Sequence, residues 1–105
     1  MKNKEYFYSF VLNADWTDEA ILHNFNEYFD FNFVAFQWHG DIYGNQDHVH
    51  VFVSFPKENL KRLLKYFPDS TDIMFYLKTF DYLKWADYVA SHDGRVGELL
   101  FFEKP

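Results

Sequence analysis

Cysteine is absent from this chain of 105 residues. Its absence excludes disulfide bonds, thiolate zinc sites and cysteine nucleophiles. Proline and glycine are scarce, with three and four residues respectively, and all of them fit turns or chain ends. No linker, repeat or low-complexity tract divides the chain. We therefore expect a single domain over residues 1–105, long enough to bury a modest hydrophobic core.

Long apolar runs are also missing. None approaches the roughly 20 residues needed to span a bilayer. The charged residues Lys2, Lys4 and Glu5 lead into no apolar stretch of the kind found in a signal peptide. We expect an intracellular, cytoplasmic protein with no membrane partner.

The chain has fewer basic than acidic residues. It contains 10 Lys and Arg residues and 16 Asp and Glu residues, which gives a net charge of −6. This balance argues against a general nucleic-acid coat, which needs excess cations to displace counterions. Aromatic residues are abundant instead, with 14 Phe, 8 Tyr and 3 Trp. Most of these rings should build the core, and some could stack on unpaired bases.

Apolar periodicity predicts five strands and three helices. The strands are expected over residues 5–13, 32–39, 48–55, 72–77 and 95–103. The helices are expected over 17–29, capped by Asp15 or Thr17, then over 57–66 and 79–91. The order β-α-β-β-α-β-α-β predicts an α+β fold, with a ferredoxin-like antiparallel sheet and helices packed mainly on one face.

The segment His48-Val49-His50 lies in the most strongly alternating strand. Side chains on a strand alternate between faces, so the two imidazoles point to the same side and Val49 points to the other. Paired imidazoles on an open sheet face favour a metal site, although such a pair also occurs by chance as two half-exposed histidines.

Further ligands are expected on the preceding strand, where Gln37, His39 and Asp41 share one face. If this strand and the His-Val-His strand form an antiparallel hairpin, one of the three can reach the metal. His39 would complete a set of three imidazoles, and Asp41 would add an oxygen ligand suited to Mn²⁺ or Mg²⁺.

Tyr88 lies beside the apolar stripe of the third predicted helix. Lys84 and His92, four residues before and after it, share its side of the helix. A tyrosine nucleophile needs a nearby cation or metal because its pKa is near 10. A tyrosine that merely bridges core and water is the commoner case, and spacing alone does not single out Tyr88.

Basic residues line one side of the second predicted helix, and Arg95 follows the third. The cations of the second helix are Lys57, Lys61, Arg62 and Lys65. They fit either a solvated helix face or a DNA-contacting one.

Three segments, in order, resemble a known family, the His-hydrophobic-His (HUH) single-strand endonucleases, and in particular the rolling-circle initiators of plasmids and small viruses. Residues 9–13 (SFVLN) resemble the first motif, His48-Val49-His50 the metal-binding motif, and residues 86–91 (ADYVAS) the helix with the catalytic tyrosine. The segment around His48 also resembles single-tyrosine transposases, but the first motif and the spacing to Tyr88 are closer to the initiators.

The resemblance implies a nicking and joining enzyme for single-stranded DNA at an origin. His48, His50 and an upstream ligand, His39 or Asp41, would hold Mn²⁺ or Mg²⁺. Tyr88 would form a 5′-phosphotyrosine intermediate, assisted by Lys84 or His92. No phosphate-binding loop of a helicase is present, so a separate host helicase or polymerase would be a further partner. A eukaryotic viral host would place the protein in the nucleus.

Two other functions remain open. An acidic mobile-element protein could keep this fold and inhibit a nucleic-acid enzyme, for example as a DNA mimic, which the net charge of −6 favours. A metal-binding or structural ferredoxin-like module without nuclease activity is the third interpretation.

Overall fold

The computed structural model describes residues 5–40, 43, 46–76, 80–91 and 95–104. Its elements are β1 (Tyr6–Asn13), α1 (Asp18–Tyr28), β2 (Phe33–Gly40), β3 (Gln46–Phe55), α2 (Leu60–Tyr66), β4 (Thr71–Tyr76), α3 (Phe80–Ser91) and β5 (Arg95–Glu103). The predicted order and type of these elements are confirmed.

The strands form one sheet in the order β4-β1-β3-β2-β5. Neighbouring strands pair antiparallel throughout the sheet. β3 occupies the centre, with β1 on one side and β2 on the other. The prediction of an α+β fold with a five-stranded antiparallel sheet is therefore confirmed. No helix in the described part of the chain has the length and apolar character needed to cross a lipid bilayer.

Two polar residues determine where the first two helices begin. The Oγ1 atom of Thr17 accepts a hydrogen bond from the Ala20 N–H at 3.1 Å, so Thr17 caps α1. α2 begins at Leu60 rather than at residue 57. The Glu58 carboxylate accepts hydrogen bonds from the Leu60 N–H at 2.7 Å and from the Tyr8 hydroxyl at 3.2 Å. These bonds hold Glu58 in the loop before the helix.

One face of the sheet is covered by α1 and α2. On β3, Val49, Val51 and Val53 belong to this face and are completely buried. Ile21 and Phe25 of α1 and Leu63 of α2 belong to the same core cluster. The apolar side chains that recur every second residue in the strand and about every 3.6 residues in the helices therefore pack together in a single apolar layer.

α3 lies on the other face. Its buried residues Trp85 and Val89 cluster with Phe7, Ala35 and Phe52 of the sheet. The expectation that the helices pack mainly on one face thus holds for α1 and α2. The sheet face that carries the histidines is therefore partly covered by α3. The apolar stripe of α3 packs against the apolar sheet residues of this cluster.

Candidate metal centre and adjoining cavity

Three histidines come together through the pairing of β2 with β3. His39 is directly opposite His48, and Gln37 is directly opposite His50. Residues that are directly opposed in an antiparallel pair project from the same face of the sheet. The prediction of a third ligand from β2 required antiparallel pairing of β2 with β3, and this pairing is present. His39, His48 and His50 share a face.

The three imidazoles are close enough to serve one ion. One ligand nitrogen from each of His39, His48 and His50 lies within 4.8 Å of the others. The ring centroids are 4.5 Å apart for His39 and His50, and 5.0 Å apart for His48 and His50. Nitrogens bound to one ion at about 2.1 Å are about 3.0–3.4 Å apart. The nitrogens of this cluster, within 4.8 Å of one another, would have to move closer together to bind a divalent cation.

The chemistry of the donor set also fits a metal ion. Three imidazoles suit transition metals better than they suit Mg²⁺. His39 is 1% exposed, whereas His48 and His50 are only partly buried. A bound ion would therefore have one buried ligand, His39, and would be accessible to solvent from the side of His48 and His50. Asp41, the predicted oxygen ligand, lies outside the described residues.

Asp47 supports the centre in a way that strand alternation did not predict. His39 pairs with His48 and Gly40 with Gln46, so Asp47 is an extra residue on β3. Its Oδ1 atom contacts Nδ1 of His48. A carboxylate on one ring nitrogen of a histidine orients the ring and makes the other nitrogen a better ligand. Regular alternation would have turned Asp47 away from His48, and only the irregular pairing brings the two together.

Gln37, the remaining candidate on β2, is 2% exposed. Its Nε2 atom donates a hydrogen bond to the Gly97 carbonyl oxygen at 3.0 Å. That carbonyl belongs to an irregular stretch of β5, where Gly97 has a φ of 80°. In the described part of the structure, the buried Oε1 atom of Gln37 has no hydrogen-bond partner. A polar atom of this kind is not explained by core packing.

A cavity of about 460 Å³ adjoins the histidine cluster. It contains both His50 and Tyr88 in its walls. The residues that line it are Ser9, Phe10, Val11, His50, Asp72, Met74, Tyr76, Asp81, Lys84, Trp85 and Tyr88. The structure therefore brings together a histidine of the three-imidazole cluster, the predicted nucleophile and the predicted assisting lysine. Residues 9–11, from the first motif, form part of the same wall.

α3 presents its polar side chains to the cavity at helical spacing. Asp81, Lys84 and Tyr88 recur three and four residues apart, so they lie on one side of the helix. Val89 on the neighbouring stripe is completely buried, while Tyr88 is 58% exposed. The phenol is thus carried on a helix that is anchored in the sheet, and it remains accessible to a substrate.

The opposite wall of the cavity comes from β1 and β4. The Ser9 and Tyr76 hydroxyls are hydrogen-bonded at 3.0 Å, and the Tyr76 hydroxyl also contacts the Met74 sulfur at 3.6 Å. Asp72 has a φ of 53°, at a register shift between β1 and β4. This wall combines an apolar thioether with hydroxyl and carboxylate groups.

Two other tyrosines have a raised pKa. Burial raises the pKa of Tyr82 above its ordinary value of 10.0. Burial also raises the pKa of Tyr8, with a smaller contribution from the Glu58 carboxylate. Both phenols therefore stay protonated at neutral pH. Neither of them lines the cavity that contains His50.

The remaining predicted site residues lie elsewhere. Lys61, Arg62 and Lys65 are exposed on α2, and Lys57 is exposed just before it, on the sheet face opposite the histidines. The backbone of Arg95 pairs with that of His39. His92, the alternative assisting residue, lies outside the described residues, as does the side chain of Arg95.

Comparisons with protein-family models, curated proteins and solved structures found no significant match for this chain.

Proposed function

We propose that this protein is a metal-dependent enzyme that nicks and joins single-stranded DNA through a tyrosine nucleophile, as in rolling-circle replication of a plasmid or virus. The observation that carries the proposal is that His50 and Tyr88 line one cavity. Because His50 also belongs to the three-imidazole cluster, one phosphate in this cavity could contact both the metal centre and the phenol.

The reaction needs a polarised phosphate and an activated phenol. A divalent cation held by His39, His48 and His50 would supply Lewis-acid stabilisation of the charge that develops on the non-bridging phosphate oxygens. Tyr88 must lose its phenolic proton before or during the attack. Lys84 lines the same cavity wall one helical turn away and would act as the assisting residue in this step.

The bond changes balance without a further reactant. The Tyr88 Oη atom forms a bond to the scissile phosphorus while the bond from phosphorus to the 3′ oxygen breaks. The Tyr88 phenol releases its proton to solvent, and the departing 3′ oxygen takes up one proton from solvent and becomes a free hydroxyl. The phosphate stays on Tyr88 as a 5′-phosphotyrosine. Attack of a 3′ hydroxyl on that linkage reverses the step and joins strands.

The apolar side chains in the cavity wall support an unpaired strand as the substrate. Trp85, Tyr76 and Met74 provide apolar surface next to the tyrosine. Aromatic rings beside a phosphate-binding site are typical of proteins that hold unpaired bases. A paired base in a duplex would not present its ring faces to these side chains.

The decisive experiment is a covalent trapping assay with a pool of single-stranded oligonucleotides of random sequence and Mn²⁺. We expect a protein–DNA adduct that survives a denaturing gel and that disappears in Tyr88→Phe. Tyr43→Phe is the matched control, because Tyr43 is 82% exposed and lies outside the cavity. This control variant should form as much adduct as the unchanged protein.

An adduct that persists in Tyr88→Phe would move the nucleophile to another tyrosine and overturn the assignment. Absence of any adduct, in a protein that demonstrably binds Mn²⁺, would instead favour a metal-binding module without nuclease activity. Absence of both would favour the acidic interaction protein, for which the net charge of −6 is the supporting observation.

A further inference from the structure

The segment 57–65 has a charge opposite to that of the chain as a whole. It contains Lys57, Lys61, Arg62 and Lys65 against the single acid Glu58, so its charge is 4 − 1 = +3. The whole chain has a charge of −6, and the remainder is therefore −6 − 3 = −9. A local concentration of cations in so acidic a protein points to an anionic ligand at this place.

Three of these cations, Lys61, Arg62 and Lys65, line a cavity of their own, which we call the α2 groove. It has a volume of about 400 Å³ and is lined by Glu58, Asn59, Lys61, Arg62, Lys65 and Tyr66. Leu63 of α2 is completely buried under the helix. Because Leu63 faces the sheet, the basic residues on either side of it extend toward solvent, and Lys61 and Lys65 are one helical turn apart.

Three cations line the α2 groove against one carboxylate, and none of the three is in an ion pair within the described residues. The only carboxylate in the groove, that of Glu58, is bonded to the Leu60 N–H and the Tyr8 hydroxyl. Within the described residues, carboxylates contact basic side chains at Asp47 with His48 and at Asp30 with Lys104. Neither pair includes a cation of α2, so the positive charge of the groove remains available to a ligand.

Three contacts hold the groove in shape. Arg62 donates a hydrogen bond from Nη1 to the Tyr28 carbonyl oxygen at 2.9 Å. The rings of Tyr28 and Tyr66 are stacked, with centroids 4.0 Å apart and planes 5° apart. The Lys65 ammonium lies 5.3 Å from the centre of the Tyr66 ring. A cation and an aromatic ring are thus positioned before any ligand arrives, which lowers the entropic cost of binding.

We infer that the α2 groove binds the sugar–phosphate backbone of a single-stranded nucleic acid, as a second site on the face of the sheet opposite the histidines. The combination of unpaired cations with an aromatic ring in one groove favours a nucleic acid over an acidic polypeptide. The sheet separates the groove from the histidine cavity. The groove therefore binds a segment other than the one at Tyr88.

The test measures binding of a fluorescently labelled single-stranded 20-mer of mixed sequence by anisotropy, at several salt concentrations. Lys61→Gln and Lys65→Gln should each weaken binding about fivefold at about 0.1 M salt, because a phosphate contact on a single strand contributes about 0.7 to the slope of log K against log[salt]. The triple variant Lys61→Gln/Arg62→Gln/Lys65→Gln should weaken it about 100-fold and reduce the slope by about 2.

Lys104→Gln is the matched control, since it removes one positive charge from an ammonium that already lies 3.9 Å from the Asp30 carboxylate. It should change the affinity by less than about twofold. Thermal unfolding of every variant checks that the fold is kept, which we expect because the substituted side chains are exposed. Equal binding by the triple variant and the unchanged protein would overturn the inference.

Poly-glutamate provides the competing probe. If poly-glutamate binds as tightly as the oligonucleotide, and if its binding is lost in the same variants, the groove is a site for an acidic polypeptide and the inference is wrong. The inference depends on the proposed function only for the choice of DNA as the probe. Failure of adduct formation at Tyr88 would leave these binding results unchanged, so the two proposals fail separately.

Discussion

The two faces of the central sheet differ in what they bury. The face beneath α1 and α2 buries a cluster of 16 hydrophobic side chains. On the α3 face the corresponding cluster has five, and the four buried polar residues of the described chain, Ser9, Gln37, His39 and Ser54, all belong to this side by strand register. One face therefore supplies most of the stability, and the other contains the candidate chemistry.

This division has a physical reason. Burying a polar group without a partner costs free energy, so a polar face has to be compensated by apolar burial elsewhere. The valines and Phe55 of β3 provide this apolar burial on the face opposite His48 and His50. The central strand can carry two partly exposed histidines because its alternate residues Val49, Val51 and Val53 are completely buried.

The largest effect should come from the apolar face. Phe25 is completely buried and its ring contacts those of Phe29, Phe31, Phe55 and Phe67. We expect Phe25→Ala to lower the free energy of unfolding by about 3–5 kcal/mol, because it leaves a cavity among these rings. Urea unfolding measures the change.

A matched substitution on α3 sharpens this first comparison. Leu83 is 65% exposed, so Leu83→Ala should cost less than about 0.5 kcal/mol. A cost for Phe25→Ala no greater than that for Leu83→Ala would show that the stability is not concentrated beneath α1 and α2.

His50→Ala should separate metal binding from stability. The substitution removes one of the three ligands, so we expect the affinity for Mn²⁺ or Zn²⁺ to fall at least about 100-fold by calorimetric titration. His23→Ala is the control, since His23 is exposed on α1 and outside the cluster. Unchanged metal affinity in His50→Ala would rule out the histidine cluster as the binding site.

The smallest effect is expected for Gln37→Leu. The substitution removes the hydrogen bond to the Gly97 carbonyl, and it also removes a buried oxygen that has no partner among the described residues. These two consequences oppose each other, so the free energy of unfolding should change by less than about 1 kcal/mol. A loss above about 3 kcal/mol in urea unfolding would mean that this buried amide stabilises the fold after all.

Local patterns were sufficient for the elements and for the pairing of histidines on one face. The alternation in β3 placed His48 and His50 together, and the apolar spacing of α3 placed Tyr88 beside the buried stripe. The same patterns could not reveal that Asp47 turns toward His48, since this contact arises from an extra residue in the pairing of β2 with β3. These patterns also could not predict that the α2 cations and the histidines lie on opposite faces of the sheet, because helix periodicity does not determine on which face a helix packs.

Local sequence patterns were enough to predict the periodicity of each strand and helix, and with it which side chains share a face, because that information lies in neighbours a few residues apart. The grouping of His39 with His48 and His50, the cavity shared by Tyr88 and His50, and the position of the basic helix on the opposite side became visible in the folded structure alone. These relations depend on strand order and on the packing of α3. Contacts between residues far apart in the chain set both, and no local pattern contains them.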